Sequence, residues 1–154
     1  MNDREVGFPS TATPGDVVRM MYETLSGPAG VDRDWGRFRQ LVDKYARLFV
    51  SSALEGGEET WGEWTVDEYV EQFREEYGHI DYWEREVSSH VDQYENIAQV
   101  LSVAETTFGG GEGGRVVRTV NSFHLLRRDG RWWIVSALWA VEQPGKPVPP
   151  EFLS

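Results

Sequence analysis

The chain has 154 residues, about the length of one domain, and 40% of them are hydrophobic, which is enough to build and bury a core. It contains no cysteine, which excludes disulfides, thiolate nucleophiles and cysteine-ligated zinc. Lysine and arginine number 15 against 26 aspartates and glutamates, and the net charge of −11 disfavours a nucleic acid or an anionic membrane as a partner.

The sequence shows no pattern typical of a targeting or membrane-spanning segment. The first residues, MNDREVGFPST, are polar and lack the apolar core of a signal peptide. The longest apolar stretch, at residues 132–141, is half the length of about twenty residues that a transmembrane helix needs. We therefore expect a cytoplasmic protein that binds neither nucleic acid nor membrane.

Helices are predicted in the first half of the chain, where apolar residues recur at helical spacing. The predicted starts are Thr13 as an N-cap, Asp32 or Asp34, and the capping-box pair Thr65 and Glu68. The first helix ends before Ser26-Gly27-Pro28, and the third ends at Gly78.

Long β-rich segments dominate the rest of the chain. We predict strands at residues 45–51, 82–91, 97–108, 115–127 and 131–141. Helices followed by antiparallel strands indicate an α+β fold, with three N-terminal helices packed on a curved, mostly antiparallel sheet. The whole chain is expected to form one domain, with extended tails at about residues 1–13 and 143–154.

The last predicted strand is apolar on both of its faces. One parity carries Trp132, Ile134 and Leu138, and the other carries Trp133, Val135 and Trp139. A half-exposed sheet would alternate apolar with polar residues instead. Because the helices cover one face, a second subunit is the simplest cover for the other, which predicts a homodimer.

Five short segments carry a resemblance to a known superfamily. They are EREV at 84–87, NIA at 96–98, NSFHLL at 121–126, GRWWIVS at 130–136 and PVPPEFL at 147–153. Together with the order of the helices and strands, they resemble the nuclear transport factor 2-like superfamily. Within it, the match is to the SnoaL-like (polyketide-cyclase-like) group of uncharacterised bacterial proteins.

The resemblance implies a cystatin-like cone, with the helices closing the concave face of the sheet around a pocket. It also implies a homodimer formed through the outer face. Members include isomerases, cyclases, dehydratases and non-catalytic binding proteins, so the fold alone does not choose between them. The group often has His where this chain has Gln99, and Tyr where it has Ala104, which lowers the expectation of an enzyme.

Enzymes of this superfamily move a proton in an apolar pocket, so we looked for polar groups among apolar strand residues. His124, between Phe123 and Leu125, is the first candidate for a general base. A two-residue turn at Asp129-Gly130 would direct Asn121 and Phe123 to the Trp132 face, whereas a three-residue turn with a bulge would direct His124 there. The sequence leaves both turns open, and Asn121 serves as an alternative hydrogen-bond donor.

The segment at 81–86 supplies the remaining polar candidates. Asp81 at the rim is a candidate base and Tyr82 a candidate donor, although an Asp in this position often only shapes a turn. Glu84 and Glu86 form a pair of carboxylates that we expect to face outward and bind arginines. Arg85 has the parity of Trp83 and Val87, which resembles a core face, so it is a candidate for an anionic ligand or a buried salt bridge.

Aromatic residues are the candidates for a ligand-binding wall, although aromatic stripes at helical spacing are usually core. Together with Arg85, the candidate ligand-binding residues are Tyr22, Phe38, Tyr69, Trp132 and Trp139. We expect neither a cofactor nor a metal, because the three histidines are scattered along the chain.

Two functions fit these observations. One is a protein that binds a hydrophobic or aromatic small molecule, with isomerase, cyclase or dehydratase chemistry that needs no cofactor. The alternative is a non-catalytic homodimeric module whose cone is filled by its own aromatic side chains.

Overall fold

The computed structural model describes residues 11–53, 59–110 and 114–154, and these form three helices and six strands. The helices are α1 (Pro14–Leu25), α2 (Trp35–Leu41) and α3 (Val66–Tyr77). The strands are β1 (Val42–Ala53), β2 (Glu59–Thr65), β3 (Tyr82–Tyr94), β4 (Ile97–Phe108), β5 (Arg115–Arg128) and β6 (Arg131–Val141). The predicted α+β class is confirmed.

Side-chain caps fix where the two long helices begin. The side chains of Thr13 and Thr65 each accept a hydrogen bond from the backbone amide of the third helical residue. In return, the backbone amides of the two threonines donate to the carboxylates of Asp16 and Glu68. Asp34 caps α2 by accepting from the amide of Arg37. These caps satisfy amides that a helix terminus would otherwise leave unpaired. The predicted starts of all three helices are confirmed, and the α2 start is the Asp34 alternative.

The strands form one sheet in the order β2-β1-β6-β5-β4-β3. Neighbouring strands are antiparallel except for β1 and β6, which run parallel. The sequence analysis did not predict β2. Its Gly62 and its two exposed glutamates, Glu59 and Glu63, weaken the usual strand signal, and pairing with β1 overrides that local preference.

The turn between β5 and β6 decides which face each residue of β5 takes. Arg128 pairs with Arg131, while Asp129 and Gly130 both have positive φ, at 54° and 79°. This is the two-residue alternative, in a backbone conformation that suits glycine. It directs Asn121 to the concave face and His124 to the convex face.

A bulge in β6 then reverses the alternation along that strand. His124 pairs with Ser136 but Leu125 pairs with Ile134, so Val135 is the extra residue. As a result, Trp139 joins Ile134 on the concave face, whereas Leu138 is 51% exposed on the other. The prediction that Leu138 shares a face with Trp132 is therefore wrong.

The core lies between the helices and the concave face of the sheet. Phe38 of α2 stacks on Tyr69 of α3 with ring centroids 5.7 Å apart, and Trp35 meets Phe38 edge-on at 5.4 Å. Trp132 is buried with them. The stacking of Phe38 on Tyr69 joins α2 to α3.

The C-terminal segment returns to the sheet. The amide of Val148 donates to Glu142 Oε2 at 2.7 Å, and Ser88 of β3 donates to the carbonyl of Phe152 in a short 3₁₀ helix, Pro150–Phe152. Val148 is buried. The predicted tail at 143–154 is thus held against the domain, while residues 1–10 of the other predicted tail lie outside the described residues.

Within the described ranges, no helix has both the length and the apolar character needed to cross a membrane.

The cap of α3 gives a direct test of the helix assignment. Replacing Thr65 by Ala removes the oxygen that accepts from the amide of Glu68, at 3.2 Å, and should lower the free energy of unfolding by about 1 kcal/mol. Urea denaturation measures this change. The T65S variant keeps the hydroxyl and should unfold near the wild-type midpoint; equal midpoints for T65A and T65S would contradict the assignment.

Candidate functional site

A cavity of about 430 Å³ lies between α1, α3 and the concave face of the sheet. Its wall is rich in aromatic side chains. They are Tyr22, Trp64, Tyr69, Tyr77, Tyr82, Phe108, Phe123 and Trp139. A mostly apolar cavity with a few polar groups is the usual form of a small-molecule site.

Two stacked indoles form one side of the cavity. The rings of Trp64 and Trp139 lie 6.0 Å apart at an interplanar angle of 10°, and Tyr69 meets Trp139 edge-on at 6.0 Å. The β6 bulge turns Trp139 inward, β2 carries Trp64, and the apolar stripe of α3 carries Tyr69. Three elements distant in sequence therefore build this wall.

An aromatic cluster sets the side-chain direction at the start of β3. The ring of Tyr82 lies 4.9 Å from Phe73, 5.1 Å from Tyr77 and 5.4 Å from Phe108. Because alternate strand residues share a face, Glu84 also points inward and lines the cavity. The prediction that Glu84 faces outward is wrong: the exposed parity is that of Trp83, which is 51% exposed.

The carboxylate of Glu84 is held by two hydroxyl groups. Thr106 Oγ1 donates to Glu84 Oε2 at 2.9 Å, and Tyr82 Oη donates to the same oxygen at 3.4 Å. Burial raises the pKa of Glu84 to about 7, although the bonds from Thr106 and Tyr82 oppose the rise. At neutral pH the group is thus present in both its acid and its base form, as a proton-transfer group requires.

A second polar point of the wall is Tyr22 on α1. Its hydroxyl donates to Ser102 Oγ at 2.9 Å, and Ser102 Oγ in turn donates to Glu86 Oε2 at 2.7 Å. Arg19 lies 3.5 Å from Glu86 Oε1 at the outer end of this chain. Burial raises the pKa of the Tyr22 hydroxyl well above its usual value, so it stays protonated and presents an oxygen that can accept a hydrogen bond.

Asn121 lies beside Tyr22 on the cavity wall. Its amide nitrogen donates to the Ser102 carbonyl at 3.2 Å and to Thr119 Oγ1 at 3.0 Å. Both amide hydrogens are therefore directed at protein acceptors.

The two predicted bases, His124 and Asp81, lie away from the cavity. His124 is exposed on the convex face, with Nδ1 3.3 Å from Ser136 Oγ, because the two-residue turn gives β5 this register. Asp81 holds the α1–α2 loop against the start of β3, since its Oδ1 accepts from the amide of Ala29 at 2.8 Å. Neither meets the condition for a base, which is to reach the pocket.

Arg85 also lies on the convex side, and its predicted core-facing direction is wrong. Its side chain is 71% exposed and forms an ion pair with Glu105 at 2.7 Å. Because Tyr82 and Glu84 point inward, the alternate residues Trp83 and Arg85 point outward.

Phe38 and Trp132 belong to the packed core rather than to the cavity wall. Phe38 lies on α2 and Trp132 on β6, and both side chains are buried. The predicted residues that do line the cavity are Tyr22, Tyr69, Tyr82, Asn121 and Trp139.

The sequence analysis missed the inward carboxylate and its partner Thr106. The available signal was the small, polar alternation of Ser102, Ala104 and Thr106 on β4, which faces Glu86 and Glu84 across the sheet. Such small residues leave room for longer side chains on the neighbouring strand. Of the two departures from the related group, Gln99 is exposed and Ala104 is buried on this concave face.

Across residues 11–53, 59–110 and 114–154, no three histidine, aspartate or glutamate side chains converge in an arrangement that could hold a metal ion.

Comparison with known proteins identifies the fold. No family model and no curated protein matches the sequence. Among solved structures, a Pseudomonas putida NTF2-like protein of unknown function superposes with a TM-score of 0.60 at 11% identity, covering 82% of each chain.

Two further structures show the range of proteins with this fold. A Parabacteroides distasonis protein, described as a proposed ketosteroid isomerase, has a TM-score of 0.55 at 16% identity, covering 87% of this chain and 91% of its own. The association domain of C. elegans CaMKII has a TM-score of 0.57 at 16% identity, with 80% and 88% covered. The chain therefore has the fold of the nuclear transport factor 2-like superfamily.

Proposed function

We propose that this protein binds a small molecule with a largely apolar body in its cavity, and that Glu84 exchanges a proton with the molecule's polar group. The observation that carries the proposal is a carboxyl group with a pKa of about 7 on the wall of an aromatic cavity of about 430 Å³. Perturbed acids in clefts are typical of functional sites.

The chemistry that fits this cavity is acid/base catalysis without a cofactor, as in an isomerase, cyclase or dehydratase. Glu84 replaces His124 and Asp81 as the group that moves the proton. Tyr22 and Asn121 supply a second polar contact for the bound molecule, and the stacked indoles of Trp64 and Trp139 supply the apolar one. The neighbour described as a proposed ketosteroid isomerase makes small-molecule chemistry consistent with this fold.

Binding can be tested by NMR with a library of small aromatic molecules. Molecules that bind should shift the indole N–H resonances of Trp64 and Trp139, which line the cavity. The matched control is Trp133, whose indole donates to the Arg128 carbonyl at 3.3 Å outside the cavity. Binders that shift only Trp133, or the absence of any binder, would contradict the proposal.

The raised pKa of Glu84 also predicts how stability depends on pH. The folded state retains this proton up to about pH 7, against an ordinary value of 4.5, so its stabilising contribution is present below about pH 4.5 and is lost as the pH rises through 7. The neutral E84Q variant should unfold like the wild type at pH 5 and be more stable at pH 8, by up to about 3 kcal/mol.

Urea denaturation at pH 5 and pH 8 measures this difference. The control is E75Q, which neutralises an exposed glutamate of α3 and should follow the wild type at both values. A wild type more stable than E84Q at pH 8 would show that the Glu84 carboxylate is not dehydrated.

We also propose that two copies of the chain associate through the convex face of the sheet. Leu138 on that face is 51% exposed, and Leu101, Val120 and Leu126 are partly exposed. A structure with the same fold is named the association domain of C. elegans CaMKII, which supports association through this fold. This is the function of the alternative, non-catalytic module, and it is compatible with a ligand in the cavity.

Introducing a charge on the apolar convex face tests the dimer. L138K should shift the protein from twice the monomer mass to the monomer mass in sedimentation analysis, because it buries an unpaired charge in the interface. V31K is the control, since Val31 is 56% exposed in the α1–α2 loop. A monomeric wild type, or a dimeric L138K, would exclude association through this face.

A further inference from the structure

We infer that the ligand of the cavity is a protonated amine on an apolar or aromatic body, held by the Glu84 carboxylate and the surrounding rings. The inference rests on the proposed function, because it names the class of molecule for that same cavity. Three features of the wall lead to it: where the hydroxyl and amide hydrogens point, which charges face the cavity, and how the aromatic rings surround Glu84.

The hydrogens of four polar groups on the wall, those of Tyr22, Tyr82, Thr106 and Asn121, are directed at protein acceptors rather than toward a ligand. Tyr22 donates to Ser102, while Tyr82 and Thr106 both donate to Glu84. Both amide hydrogens of Asn121 are directed at protein acceptors. These groups therefore offer a ligand oxygen atoms that accept, so the ligand must bring the hydrogens.

An ammonium group on the ligand would fit these acceptors, because it has several hydrogen-bond donors and no acceptor. A carbonyl or carboxylate would meet the opposite arrangement, with its oxygen facing other oxygens. The hydrogen bonds that the described residues donate to the Glu84 carboxylate both fall on Oε2. This leaves Oε1 as the acceptor for the ligand.

The charges around Glu84 also favour a cation. The titratable and charged groups that face it are Tyr22 on α1, Tyr69, Glu76 and Tyr77 on α3, Tyr82 on β3 and Arg115 on β5. Among the described residues that line the cavity, Arg115 alone carries a positive charge, and its guanidinium lies 5.2 Å from the Phe108 ring at the exposed rim. An anion next to Glu84 would meet a carboxylate with no cation beside it.

Aromatic faces complete the recognition. A cation gains from the negative face of a π-system when it leaves water. Tyr69, Tyr77 and Tyr82 line the cavity together with Glu84, and the Tyr82 hydroxyl lies 3.4 Å from Glu84 Oε2. The indoles of Trp64 and Trp139 extend this aromatic wall beyond the tyrosines.

The proton balance of binding is simple. When the amine enters neutral and Glu84 is protonated, the carboxyl O–H bond breaks and an N–H bond forms. The result is a carboxylate–ammonium pair with no net gain or loss of charge. When the amine enters already protonated, the carboxyl proton is released to solvent instead.

Three probes of equal size and different charge test the inference: benzylamine, benzyl alcohol and benzoate. Isothermal titration calorimetry at pH 8 gives the affinities, and the indole resonances of Trp64 and Trp139 locate the binding. We expect benzylamine to bind about tenfold or more tightly than benzyl alcohol, and benzoate to bind most weakly. The affinity for benzylamine should fall from pH 8 to pH 6, as Glu84 becomes protonated, whereas that for benzyl alcohol should not change.

Two variants distinguish the effect of the Glu84 carboxylate from the effect of the protein's overall negative charge. E84Q should bring the affinities for benzylamine and benzyl alcohol to within about twofold. E105Q removes the same charge from the convex face of the sheet, where Glu105 pairs with Arg85 and Arg118, and should retain the preference for benzylamine.

The outcomes distinguish this inference from the proposed function. Benzyl alcohol or benzoate binding in the cavity as tightly as benzylamine would overturn the amine inference and leave the proposed small-molecule site standing. An E84Q variant that keeps the full preference would also overturn it. If none of the three probes shifts the indoles of Trp64 and Trp139, both the inference and the proposed function are contradicted.

Discussion

The dehydration of one carboxyl group is the constraint on which the account of this molecule depends. A carboxylate loses favourable hydration when it is buried, so it must be neutralised or hydrogen-bonded. Glu84 has two hydroxyl partners and no cation bonded to it among the described residues. Its raised pKa follows from that environment. A core designed for stability alone would hold an apolar residue here, and strain of this kind is typical of functional sites.

The sheet maintains this environment by its curvature and by the direction of its side chains. The bulge at Val135 in β6 and a second one at Val87 in β3 bend the strands around the cavity. Small residues on β4, Ser102, Ala104 and Thr106, leave space under α1 and α3 instead of filling it. Phe38 packs in the core against Tyr69, which lines the cavity together with seven other aromatic side chains.

The sequence predicted the architecture well and the site only in part. Caps and apolar periodicity are local signals, so the helix starts at Thr13 and Thr65 could be predicted directly, and that of α2 was narrowed to Asp32 or Asp34. Strand parity is a different matter, because a one-residue shift exchanges the two faces. The strand at 82–91 has large apolar residues on both parities, so only the packing of Tyr82 against three rings reveals that Glu84 points inward. Bulges are likewise set by tertiary packing. The sequence pattern does not show the β6 bulge, so the prediction placed Leu138 and Trp139 on the wrong faces of the sheet.

The titration of Glu84 tests the central claim most directly. Carbon-13 NMR of the glutamate side-chain carboxyl groups, with the Glu84 signal assigned from its loss in E84Q, gives its midpoint in the folded protein. We expect a midpoint of about 7 for Glu84, while Glu68, which caps α3, should titrate below its ordinary 4.5 in the same sample. A midpoint for Glu84 near 4.5 would mean that the carboxylate is hydrated, and would remove the physical basis of the proposed proton exchange.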